Sequence, residues 1–183
     1  MATTLRPFRD YDEKDVINLF ALHGSAGIPV TKGHFVAVTG DGWKTEDELQ
    51  MIGHVGASFN NTVSQRYGVA AKVAIAGTAD HPLGMMLYDC KETDENGEQL
   101  KFNPRKAAEM EVALSGQAVP IVTRGIFLYS GSVLAGDDSS AGDALYVDAN
   151  GELTTTDAGS QVSVGRSLGS EDGDGVVLVK IEL

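Results

Sequence analysis

The sequence predicts a mainly β protein, an antiparallel β-sandwich or barrel with an extended N-terminal arm and one or two short helical turns. Three observations carry this expectation. Short β-prone runs recur along the chain at regular spacing, the pattern of sandwiches and barrels. The 183 residues include 22 glycines and only 7% aromatics, which implies many turns. Asn150-Gly151 stands between two strand-like segments, a strong hairpin signal because both residues tolerate positive φ.

The elements follow in chain order. Residues 1–9 hold Leu5, Arg6, Pro7, Phe8 and Arg9 and no acid, so the chain opens with a basic, apolar segment that reads as an arm; the alternative is a frayed terminus. Residues 16–22 fit a short amphipathic helix about as well as a strand, and strand is preferred. Gly33-His34-Phe35-Val36-Ala37-Val38-Thr39 is a β-prone run closed by the turn Gly40-Asp41-Gly42. Thr45 with Glu48 forms a capping-box pair that predicts a helical turn over residues 45–49. Residues 53–58 and 69–75 are the next strands.

Met85-Met86-Leu87-Tyr88-Asp89 reads as a strand, joined by a hairpin with its tip at Asp94-Glu95-Asn96-Gly97 to a strand at Leu100-Lys101-Phe102. Asn103-Pro104 caps and starts a helical turn that runs to Met110, since proline is favoured at the first helical position. Residues 111–114, 119–122 and 125–129 form a closely spaced strand series, with Pro120 at a strand start or edge. Residues 144–148 and 153–155 flank the Asn-Gly hairpin. The run Val162-Ser163-Val164-Gly165-Arg166-Ser167-Leu168 alternates as a half-buried strand does. An acidic glycine loop at residues 169–175 precedes a last strand at 176–181. The expected organisation is an arm over residues 1–14, a β-rich part with a hairpin insertion over 15–118, and a β-rich C-terminal part over 119–183 that can join the preceding part in one domain.

Composition narrows the function. With 42% apolar and 22% charged residues the chain is in the ordinary globular range. Fourteen Lys and Arg against 26 Asp and Glu leave a net charge of −12, a field that repels phosphate and argues against a direct nucleic-acid partner. From Asp137 onward there are ten acids and two bases, Arg166 and Lys180. One cysteine, Cys90, excludes an intramolecular disulfide framework. No secretion pattern opens the chain and no run approaches the roughly 20 apolar residues of a membrane helix. Synthesis in the cytoplasm and no membrane partner are expected.

The residues that carry chemistry are scattered. His23, His34, His54 and His81 show no metal-ligand spacing, and Cys90 has no second thiol, so neither a metal nor a cofactor is expected. Gly40-Asp41-Gly42-Trp43-Lys44-Thr45 lacks the glycine spacing of a phosphate loop. Asp172-Gly173-Asp174 and Asp137-Asp138 lack the ligand run of an EF-hand and read as solvated turns. The sequon Asn60-Asn61-Thr62 means little without a secretion signal. A Cys90, His81 and Asp89 grouping is conceivable in space, but Cys90 follows an apolar strand, where an inert thiol is expected. The sequence points to a chain with no catalytic role.

Glu111-Val112-Ala113-Leu114-Ser115-Gly116, Thr123-Arg124-Gly125-Ile126-Phe127-Leu128, Ala141-Gly142-Asp143-Ala144-Leu145-Tyr146-Val147-Asp148 and Gly151-Glu152-Leu153-Thr154-Thr155-Thr156 form a strand-and-turn series. With Val164-Gly165-Arg166-Ser167 and the last strand, it resembles the phage capsid cement or head-decoration family of small β proteins. The resemblance covers about the last 70 residues. It implies a structural virion protein that binds the outer surface of the phage head and stabilises the major capsid protein lattice, commonly as a dimer or trimer at symmetry axes. On that reading Leu5, Arg6, Pro7, Phe8 and Arg9 are the expected capsid contact. The alternatives are another virion part, such as a tail-tube or head-completion protein, and a small β-barrel ligand-binding module.

Overall fold

The computed structural model describes residues 4–7, 15–22, 29–40, 42, 71–131, 134, 139–159 and 161–183. The expected helical turn at residues 45–49 and the strand at 53–58 lie outside the described residues, as do residues 69–70 of the following strand. The remainder is mainly β, in two six-stranded sheets and one two-stranded pair.

The first sheet joins β1 (Thr4–Pro7), β10 (Arg124–Ser130), β14 (Val177–Glu182), β13 (Gly165–Ser167), β11 (Ala144–Val147) and β12 (Leu153–Thr154) in that order, antiparallel throughout. Arg124-Gly125-Ile126-Phe127-Leu128-Tyr129-Ser130 and Val177-Leu178-Val179-Lys180-Ile181-Glu182 alternate, so Phe127, Tyr129, Val177, Val179 and Ile181 face the core while the even-numbered residues face outward.

The second sheet joins β2 (Val16–Ile17), β9 (Ile121–Val122), β6 (Pro82–Met86), β4 (Phe35–Thr39), β5 (Lys72–Ile75) and β3 (Ala21–Leu22). It is antiparallel except for β3 against β5. The expected single strand at residues 16–22 is therefore two short strands at opposite edges of one sheet. Ala21 bridges Ala118 and the Val119 N–H donates to Phe20 O at 2.9 Å, so this segment runs beside the chain leading into β9 while also pairing with β5. The sheet thus curls back on itself.

At Phe35–Ala37, Gly84–Met86 and Ile121–Val122 the strands β4, β6 and β9 are buried on both faces. Phe35, Met85 and Val122 join the first sheet's inner residues in one apolar core. Their neighbours Val36, Met86 and Ile121 belong to a second core with Phe20, Leu22, Val73, Cys90 and Val119. Burial on both sides explains why these strands read as continuous apolar runs. The Phe35 N–H donates to Gly151 O at 2.8 Å, and Phe35 O accepts from Ala76 N at 2.9 Å, which ties the β11–β12 turn to the second sheet. Gly151 has φ +80° and a Cβ there would lie 2.6 Å from Ile75 Cγ2, so the Asn-Gly turn is held by conformation and by space.

Three expectations are corrected. The strand expected at Met85–Asp89 starts earlier, at Pro82, and breaks at Leu87-Tyr88; the chain then pairs again as β7 (Asp89–Cys90), parallel to β8 (Val112–Ala113). The strand expected at Leu100-Lys101-Phe102 is a 3-10 turn. Asp94 Oδ1 accepts from the N–H groups of Asn96 and Glu98 to close the expected turn, but Leu100 then drops into a satellite core with Ala107, Val112 and Leu114 instead of extending the ladder. Helix α1 (Pro104–Glu109) follows as expected, with Asn103 Oδ1 accepting from Lys106 N at 3.2 Å and proline in the first turn.

The third correction concerns residues 162–168, where the strand is confined to Gly165–Ser167, with Val164 and Leu168 hydrogen-bonded at its ends, and the buried strand positions are Gly165 and Ser167. Val162 and Leu168 are exposed, 58% and 43% respectively. Backbone proximity sets this phase, because a Cβ on Gly165 would sit 2.1 Å from Lys180 O. Gly165→Ala should therefore force β13 and β14 apart and lower the stability to urea unfolding by about 2–3 kcal/mol. An unchanged midpoint would show that the strands tolerate separation.

Candidate binding surface

The expected contact segment begins in β1. Its register against β10 is Thr4↔Ser130, Leu5↔Tyr129, Arg6↔Leu128 and Pro7↔Phe127, so the backbone at Leu5, Arg6 and Pro7 is seated on the edge of the first sheet; Phe8 and Arg9 lie outside the described residues. Among the described residues β1 is an outermost strand of that sheet, a position that tolerates a proline because one row of its backbone groups is outside the ladder.

Beside β1 lies the outward face of the first sheet. One row across the strands runs Arg6, Leu128 and Leu178, with the Leu168 N–H donating to Leu178 O at 2.8 Å. The next runs Ile126, Lys180, Arg166 and Ala144, and the next begins Arg124, Glu182. Arg124, Arg166 and Glu182 are exposed, and Ile126, Leu128, Leu178 and Lys180 are half-buried. The Lys180 ammonium donates to Glu182 Oε2. That hydrogen bond and the Lys180 charge, with Arg124 and Arg166 further off, hold the Glu182 carboxyl below its ordinary range. A shallow cleft of about 150 Å³ opens here between Ser163, Gly165, Arg166, Lys180 and Glu182.

The groups considered for chemistry are not brought together. Cys90 is buried in the second core, and burial first, then the Glu92 and Asp89 carboxylates, push its thiol up to about 12. Asp89 Oδ1 accepts from Lys32 N at 2.9 Å, and its Oδ2 lies 3.6 Å from Lys91 Nζ. His81 is exposed at the entry to β6. His34 is largely buried, its Nδ1 2.9 Å from Thr31 O and its Nε2 4.0 Å from Glu152 Oε1; His23 and His54 lie outside the described residues. Among the described residues no group of three or more His, Cys, Asp or Glu is arranged to hold a metal ion. Asp172 Oδ1 accepts from the N–H groups of Asp174 and Val176, as a turn-forming aspartate does, and Asp137-Asp138 lies outside the described residues. No helix among the described residues is long and apolar enough to cross a membrane.

A second cleft, about 390 Å³, lies between Pro29 and Lys91-Glu92-Thr93-Asp94-Glu95. The Asp94 carboxylate on its wall is already committed to the Lys106 ammonium, which also lies 3.2 Å from Glu98 Oε2. The Lys106 hydrogen bond, followed by the N–H groups of Glu98 and Asn96, holds the Asp94 carboxyl below its ordinary value against an opposing contribution from burial.

Residues 107–182 match the family model described as phage cement protein. The match begins within α1 and includes every strand of the first sheet except β1. No curated protein and no solved structure matches the chain.

Two outcomes follow. Because the Asp94 carboxyl is lowered on folding, its contribution to stability is complete above the unfolded value of about 3.9 and is lost as the pH falls through the lower folded value. Asp94→Asn should be less stable than the parent at pH 7 and lose less stability below about pH 4, read by circular dichroism during acid titration; parallel acid profiles would remove the ion pair from the account. Cys90 should resist alkylation at pH 8 in the native protein and react promptly in denaturant. Fast native labelling would show that the second core opens.

Proposed function

We propose that this chain is a structural virion protein, a capsid cement that binds the outer surface of a phage head and stabilises the lattice of the major capsid protein. The match of residues 107–182 to the phage cement protein family carries this reading. The charge distribution supports it. A body of net charge −12 resists self-aggregation on the outside of a particle, and a basic, apolar N-terminal segment offers contacts of opposite sign to a shell.

In this reading Leu5, Arg6, Pro7, Phe8 and Arg9 touch the capsid, and the chain sits on it as a homodimer or homotrimer. Repetition over a lattice lets weak individual contacts hold through avidity. Since Thr4–Pro7 pairs with β10, removing residues 1–9 also strips an edge from the first sheet, so charge reversal is the cleaner probe of the segment.

Imaging of mature particles should show density for this chain repeated across the head lattice. Density confined to one vertex or to the tail would replace the cement role by a head-completion or tail role. In co-sedimentation with shells assembled without this protein, Arg6→Glu with Arg9→Glu should bind more weakly than the parent while unfolding at the same temperature. Equal binding would remove the segment from the contact.

A further inference from the structure

The outward face of the first sheet concentrates positive charge on an acidic protein. The region from Asp137 onward has two bases, Arg166 and Lys180, and the register places them directly opposite one another on β13 and β14, with Arg124 in the next row. Like charges facing each other across antiparallel strands are destabilising. Glu182, hydrogen-bonded to Lys180, offsets one of the three charges and leaves a net excess of two. Among the described side chains the neighbouring row is apolar, with Leu128 against Leu178 and the 43% exposed Leu168 beside it; the register sets Arg6 of β1 across from Leu128. Beyond that row, the turn between β13 and β14 carries Glu171, Asp172 and Asp174, all exposed. The face is therefore graded, from acidic turn through apolar row to cationic row. Its opposite side is the main core, which fixes the strands and leaves little conformational freedom to lose on binding.

We propose that this face, built on Arg124, Arg166 and Lys180 with Ile126, Leu128 and Leu178, is the surface by which the chain docks onto a carboxylate-bearing protein surface of the capsid shell. The proposal rests on the cement reading and names its contact surface. Charge complementarity selects the partner: two cations held side by side by backbone pairing call for carboxylates opposite them, and the acidic turn at the far end repels the same partner and so sets its orientation. The face lies within the family-matched segment, and its strand β10 pairs with β1.

The test is co-sedimentation of the full chain with shells assembled without it, for the parent, for Arg166→Glu with Lys180→Glu, for the neutral pair Arg166→Gln with Lys180→Gln, and for Asp174→Lys. The charge-reversed pair should bind about tenfold or more weakly, the neutral pair should fall between, and Asp174→Lys should bind at least as well as the parent. Binding of the parent should weaken with salt, and that of the reversed pair much less. If the reversed pair fails to fold, the neutral pair decides alone. Parent-like binding by the substituted pairs overturns the face and leaves the cement reading standing. Failure of the parent itself to bind shells overturns the cement reading and this surface with it. Loss of self-association with shell binding intact, read by analytical ultracentrifugation, would assign the face to a second copy and also overturn the proposal.

Discussion

The architecture depends on one constraint: the strands β4, β6 and β9 must satisfy two cores at once. Successive side chains point to opposite faces of a strand, so Phe35 and Val36, Met85 and Met86, and Val122 and Ile121 divide between the cores. A polar residue at any of these positions would be buried without water, which is why no alternation survives in these segments. Among the described residues the first sheet then has a ready-made apolar partner on its inner side. Its inner residues cover the middle layer, and its outer residues are half-buried or exposed.

Close backbone approach completes this arrangement. A Cβ on Gly84 would lie 2.5 Å from Val122 O, so β6 and β9 pack at a separation that only glycine permits. The buried Tyr129 accepts from Leu153 N at 3.2 Å through its phenol oxygen, and burial holds its proton well above the usual range. Tyr129 thereby joins β10 to β12, strands at the interior and the far edge of the same sheet. These contacts are between segments far apart in sequence, as is the ladder that sets β10 and β14 side by side.

The electrostatics divide into local and collective effects. Exposed ion pairs, such as Arg105 with Glu109 on α1, contribute little to stability. The Asp94–Lys106 pair differs because its carboxylate is buried and also closes a turn, so it fixes the insertion that carries α1 to the body. The excess of acids is a property of the whole surface and works against unselective association. Against that background even a small cationic face is a strong local exception.

Much was legible where the signal is local. Asn103-Pro104 starts a helix, Asn150-Gly151 turns a hairpin, and the alternation in β10 and β14 separates core from surface, because capping, positive φ and side-chain period act within a few residues. The strand-and-turn series after Glu111 also carried the family resemblance, and the family model covers that stretch. The basic character of residues 1–9 was visible too, but its pairing with β10 was not. Neither were the break at Leu87-Tyr88, the 3-10 turn at Leu100–Phe102, the phase of β13, or the meeting of Arg124, Arg166 and Lys180. Each is decided by register between distant strands, or by which core has room for a side chain, and no local period in the sequence encodes those choices.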